Sequence, residues 1–190
     1  MLRYDWRMGT AMPANDEETV IPWAGAHVWR ARIDGTTTTG PGVATAIEPG
    51  KVRAYLATAY RLGFGTGSPC LRVGEPVGTA PGTAAAWIDA HAPSGGAFIT
   101  AWNPQGVDPG PVANAAAHAR MLARLAAAIP QGASVIEGEG AGDAGDWPAE
   151  RSAFAPGLPY AAAVAIGCEF GQNAIVWVGP DLVPVLVLLR

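Results

Sequence analysis

Apolar residues in this chain come in short runs separated by glycine, proline and polar turns. The run Ala97-Phe98-Ile99-Thr100-Ala101-Trp102 breaks at Asn103-Pro104. A residue before proline is driven toward extended geometry. The pattern therefore predicts a buried strand that stops at Asn103 and leaves that amide at a sheet edge. A helix is expected next, over about 111–129, with Pro111 suited to its first position. At 100° per residue, Met121, Leu122, Leu125 and Ile129 form one apolar stripe. Asn114 and His118 lie on that stripe at its N-terminal end. A buried amide there needs partners, since an unpaired one costs about 1–3 kcal/mol. The end of the preceding strand, with Asn103, is the nearest source.

The rest of the pattern is read the same way. Residues 52–62 suggest a helical turn or strand, alternating in the second half. Strands are expected over 70–73, 133–137, 174–178 and 183–189. Helices are expected over 83–91, with Thr83 as N-cap, and over 160–170, ended by Gly171. Pro184 argues for an edge position in the last strand. Strand, helix and strand between 70 and 102 suggest a parallel pair with a right-handed crossover. The expected fold is α/β: a single three-layer-like domain over 51–190, with a mixed, mainly parallel sheet flanked by helices and an antiparallel C-terminal strand pair. Residues 1–50 lack lasting periodicity and read as an irregular or partly disordered arm, apart from a short strand near 26–33.

Composition excludes several function classes. Twelve basic residues face sixteen acidic ones, for a net charge of −4, with no basic block. A nucleic-acid surface is therefore not expected. No apolar run reaches the roughly 20 residues of a membrane helix. Cys70 and Cys168 stand far apart and outside any zinc spacing, which predicts reduced, packed thiols in a cytoplasmic protein. One lysine, Lys51, against eleven arginines suggests a GC-rich bacterial genome.

Two glycine-rich stretches invite chemistry. Gly63-Phe64-Gly65-Thr66-Gly67 is followed by Pro69 and a strand, so it fails the dinucleotide fingerprint. The stretch Gly138 to Ser152 reads as a long acidic loop. Its Glu139, Asp143, Asp146 and Glu150 would repel phosphate unless Mg²⁺ or an arginine intervenes. Paired carboxylates could also do acid–base work or bind a hard cation through oxygen, although the spacing matches no calcium loop and no metal ligands are assigned. Trp147 before Pro148 reads as a wedge closing the loop on the core. Ser152 lacks a nucleophile elbow, and only His118 could serve as its base.

Much of the chain, from about Arg53 onward, resembles a bacterial family known as domain of unknown function 3293. The resemblance rests on Leu71-Arg72-Val73-Gly74-Glu75, Ala97 to Pro104, Asn114, Gly138-Glu139-Gly140, Trp147 to Ser152 and Phe170-Gly171-Gln172-Asn173-Ala174. Ala149 departs from the second proline of the family's W-P-P-E run. The resemblance implies no activity. It does mark Asn103, Asn114, Glu150, Ser152, Gln172 and Asn173 as retained polar positions.

Two function classes stay open. One is a polar cleft for a nucleotide- or sugar-like ligand, with Glu150 as a catalytic acid or base. Asn103, Asn114, Trp147, Ser152, Gln172 and Asn173 would then be its binding residues. The sequence leaves any cofactor unknown. The other is a non-catalytic interaction or regulatory module whose polar residues are structural and whose protein partner is unknown. The first requires these side chains to converge on open space. The second requires them to be saturated by backbone groups.

Overall fold

The computed structural model describes residues 3–5, 10–12, 18–21, 25–31, 37–39, 42–65, 67–77, 88, 95–142 and 148–190. The first strands are β1 (Arg3–Asp5), β2 (Thr10–Met12), β3 (Thr19–Ile21), β4 (Val28–Ala31), β5 (Thr37–Thr39) and β6 (Val43–Thr45). Helix α1 (Pro49–Ala57) runs directly into β7 (Thr58–Arg61), and β8 (Cys70–Leu71) and β9 (Gly96–Thr100) follow. A single 3-10 turn, Pro104–Gly106, leads to α2 (Pro111–Ala128). The chain closes with β10 (Ile136–Gly142), β11 (Glu150–Pro156), α3 (Tyr160–Glu169), β12 (Ala174–Val178) and β13 (Pro184–Leu188).

Among the described residues nine strands form one sheet in the order β5-β4-β13-β12-β9-β11-β10-β7-β8. Of its neighbouring pairs only β13 on β4 is parallel; every other pair is antiparallel. The α/β class stands, but the sheet is not mainly parallel. The error has a physical cause. Runs such as Ala97–Ile99, Ala153–Ala155 and Val185–Leu188 are buried on both faces. Continuous apolar strands are the usual mark of parallel sheets, yet the signal reports only two-sided burial and carries no strand direction. Strand β8 also does not pair with β9. The β10–β11 hairpin and β7 stand between them.

Core residues divide by face. Phe98, Phe154, Val176, Leu186 and Leu188 pack with Ile21, Val43, Ile47 and Val52 of β3, β6 and the α1 region. Ala97, Ile99, Ala153, Ala155, Val185 and Val187 pack with Met121 and Leu125 of α2 and Ala163 and Ile166 of α3. Two-residue alternation along each strand produces this division. Helix α2 buries Asn114, His118, Met121 and Leu125, as its stripe predicts. The C-terminal pair β12–β13 is antiparallel, also as expected.

Three further expectations change. Pro184 is not on an edge: β13 lies between β12 and β4. It opens the strand, and β4 pairs only from Leu186 onward, so its missing N–H costs no ladder bond to β4. The expected acidic loop is instead largely the hairpin β10–β11, with Gly138 opposite Ser152 and Gly140 opposite Glu150. Gly138 serves close packing: a Cβ there would stand 2.0 Å from the Arg61 carbonyl oxygen. Cys70 is exposed and not packed, although both thiols are free. The helix expected over 83–91 lies outside the described residues except for Ile88.

Phe154 is fully buried at the sheet centre, facing Phe98 across β9–β11. Phe154→Ala is expected to cost about 3–5 kcal/mol. Urea unfolding checks this as a lowered midpoint at unchanged slope.

Candidate functional site

The polar residues meet where β9 ends. Asn103 does not take the extended geometry that Pro104 favours. Its φ and ψ are 47° and 60°, in the left-handed region. Asparagine tolerates this conformation because its short amide can bond locally. Here the bonds come from α2. The Asn103 backbone N–H donates to Asn114 Oδ1 at 2.9 Å, and Asn114 Nδ2 returns a bond to Asn103 Oδ1 at 2.9 Å. Asn114 Nδ2 also donates to Asp108 Oδ1 at 3.2 Å, and that oxygen accepts the Gly110 N–H at 2.8 Å. The buried amide on the helix stripe is thus fully engaged, and the strand end is clamped to the helix start.

The free end of this network is Glu150. Asn103 Nδ2 donates to Glu150 Oε1 at 2.7 Å. Among the described residues, Oε2 has no hydrogen-bond partner. Glu150 lines a cavity of about 70 Å³ beside Tyr55, Thr58, Tyr60, Gly140, Ser152 and Asn173. Burial raises the Glu150 pKa, and the bond from Asn103 pulls it partly back. Burial likewise raises Tyr55 and Tyr60 and keeps both phenols protonated. The Tyr60 hydroxyl donates to the Tyr55 carbonyl at 2.7 Å. The Tyr55 hydroxyl accepts from Asn173 Nδ2 at 3.0 Å, which leaves its own proton for the cavity.

The remaining candidates fall into two groups. Ser152 and Asn173 line the cavity with Glu150. Ser152 Oγ donates to the Glu150 carbonyl at 3.1 Å, and Asn173 Oδ1 accepts from Arg190 at 3.4 Å. Gln172 also borders the cavity, but its Nε2 ties the carbonyls of Trp102 and Phe170 together, each at 3.2 Å. Asn103 and Asn114 do not line it; they brace Glu150 from behind. Trp147 lies outside the described residues.

His118 belongs to the opposite sheet face. Its Nε2 pairs with Glu137 Oε2 at 3.0 Å, and Arg151 donates to the same oxygen at 2.8 Å. Glu137 stands opposite Ala153, one position out of phase with Ser152. Ser152 and His118 therefore form no nucleophile–base pair. The His118 bond, with Arg151 nearby, lowers the Glu137 pKa. Among the described residues no three His, Cys, Asp or Glu side chains are grouped to hold a metal, and no helix is long and apolar enough to cross a membrane.

Sequence reasoning missed Tyr55 and Asp108. Tyr55 was legible only as one aromatic in an ambiguous segment. Asp108 carried a usable signal, an Asp two residues before a glycine at a helix entry.

Two measurements follow. Asn114→Ala strands the Asn103 backbone N–H and side-chain Oδ1, and is expected to lower unfolding stability by about 1–3 kcal/mol. Glu150→Gln keeps an acceptor for Asn103 and removes the charge. Because the folded pKa of Glu150 is raised, folding of the wild type loses stability as pH climbs above about 4 toward that raised value. Glu150→Gln is therefore expected to match the wild type at lower pH and to exceed it at neutral pH. Denaturant curves across pH check both sign and window.

Residues 99–175 match the family model described as "Protein of unknown function (DUF3293)". No curated protein and no solved structure matches the chain. The matched segment runs from the last two residues of β9 to the start of β12, and over it the chain is similar to the DUF3293 family at Asn103, Asn114, Glu150, Ser152, Gln172 and Asn173, whereas Tyr55, Thr58 and Tyr60 of the cavity wall lie before it.

Proposed function

We propose that the cavity beside α1 is a binding site for a small polar molecule, with Glu150 as the group that recognises it. One observation carries this reading. Glu150 is a half-buried carboxylate with one oxygen held by Asn103 and the other without a partner among the described residues, at the wall of a cavity. Burying a charge is costly unless it is paired and hydrogen-bonded. The Tyr55 hydroxyl offers a donor beside that acceptor.

Size narrows the ligand. A cavity of about 70 Å³ holds about five water molecules. It takes a group of sugar size or smaller, and the base of a nucleotide would project beyond it. Burial raises the Glu150 pKa, and a carboxyl at the wall of a cavity is placed for acid–base chemistry on the bound group. A purely structural polar set accounts for Asn114 and Gln172, whose amide groups bind protein atoms. It does not account for Glu150 Oε2 or the Tyr55 proton.

The test is a plugged cavity. A Cβ on Gly140 meets Thr58 Cγ2 at 3.5 Å and Tyr60 at 3.9 Å, ordinary contact distances. Gly140→Val is therefore expected to fold and to fill the space. A thermal-shift screen of small polyols, acids and amines should yield a compound that stabilises the wild type, by about 2.7 kcal/mol at a hundredfold excess over Kd. Gly140→Val and Glu150→Gln should lose that response. A response retained in Gly140→Val, or no response from the wild type, overturns the reading.

A further inference from the structure

Two cations stand behind the cavity wall. Lys51, in the first turn of α1, sits four residues before Tyr55, so the two share a helix face. Its ammonium rests against Gly106, a lining residue. A Cβ at Gly106 would stand 2.6 Å from Lys51 Nζ and 3.8 Å from Asn173 Nδ2. Gly106 has φ +75°, a conformation that favours glycine, and the missing side chain makes room for the ammonium. Among the described residues Lys51 forms no hydrogen bond or ion pair. Arg190 adds positive charge nearby, reaching Asn173 Oδ1 at 3.4 Å.

Glu150 is on the same lining, an acceptor when ionised. The surroundings are thus polarised: a carboxylate on the wall at Glu150, and positive charge behind the part of the wall that Gly106 and Asn173 form, from Lys51 and Arg190. A ligand that satisfies both charges needs an anionic oxygen pair for Lys51 and a hydroxyl or ammonium donor for Glu150. A phosphoryl group brings greater bulk and charge to a small cavity that already holds a carboxylate. We propose that the ligand is a small hydroxy- or amino-carboxylic acid, its carboxylate at Lys51 and its hydroxyl or amino group at Glu150. This rests on the reading of the cavity as a ligand site.

Calorimetric titration of the full chain decides it. The probes are glycerate, serine, their carboxamides, glycerol and glycerol 3-phosphate. The proteins are the wild type, Lys51→Met and Lys51→Arg, each checked for an unchanged circular dichroism spectrum. Glycerate or serine is expected to bind the wild type at least tenfold more tightly than its amide. Lys51→Met should abolish that preference and Lys51→Arg should restore part of it. If amides or glycerol bind as well as the acids, or if Lys51→Met keeps the preference, the acid assignment is wrong while the ligand cavity stands. Binding by glycerol 3-phosphate alone replaces the carboxylate with a phosphoryl group and also overturns it. If no probe binds, both the acid assignment and the ligand reading fail.

Discussion

The reciprocal pairing of Asn103 with Asn114 is the constraint on which the site depends. It holds a non-glycine residue in left-handed geometry at the end of β9, directly before a proline. That conformation alone is disfavoured, and two amide hydrogen bonds from α2 hold it in place. Its consequence lies on the far side of Asn103, where Nδ2 is turned toward Glu150. A strand end, a helix start and a carboxylate on a neighbouring strand are thereby locked in one geometry. Asp108 extends the same chain of bonds into the loop that enters α2.

This arrangement separates the two faces of the sheet. On one face α2 and α3 cover small, tightly packed positions such as Ala97, Ala101, Ala153 and Ala155. His118, Glu137 and Arg151 make an ionic cluster there, away from the cavity. On the other face the strands carry Phe98 and Phe154, and the polar residues Glu150 and Ser152 follow at the same two-residue spacing. Strand alternation delivers Glu150, Ser152 and Phe154 to one side and Arg151, Ala153 and Ala155 to the other. The cavity is the place where the apolar half of that face gives way to its polar end, beneath α1.

Several parts of the site could be read along the chain because they depend on local periodicity. Asn114 on the α2 stripe implied a buried amide needing partners, and Asn103 was the nearest polar strand end. Other parts depended on distant contacts. Tyr55 and Lys51 reach the cavity only because α1 lies against the sheet face that β9, β11 and β12 present. Glu150 looked like a loop residue, since glycines at 138, 140, 142 and 145 mimic a flexible segment. Gly138 is required instead by the close approach of the Arg61 carbonyl, a contact 77 positions away in sequence that no window along the chain can contain.

By itself the sequence determined the helices expected over about 111–129 and 160–170, found as Pro111–Ala128 and Tyr160–Glu169, the apolar strands and the short list of polar residues worth attention. Those follow from 3.6- and two-residue periodicities and from local turn chemistry. Tertiary structure decided strand direction, strand order and which polar side chains share a space. A strand buried on both faces presents the same composition whether its neighbours run parallel or antiparallel. The insertion of the β10–β11 hairpin beside β9 is a long-range pairing. That pairing turned a presumed acidic loop into a cavity wall and set Glu150 against Asn103.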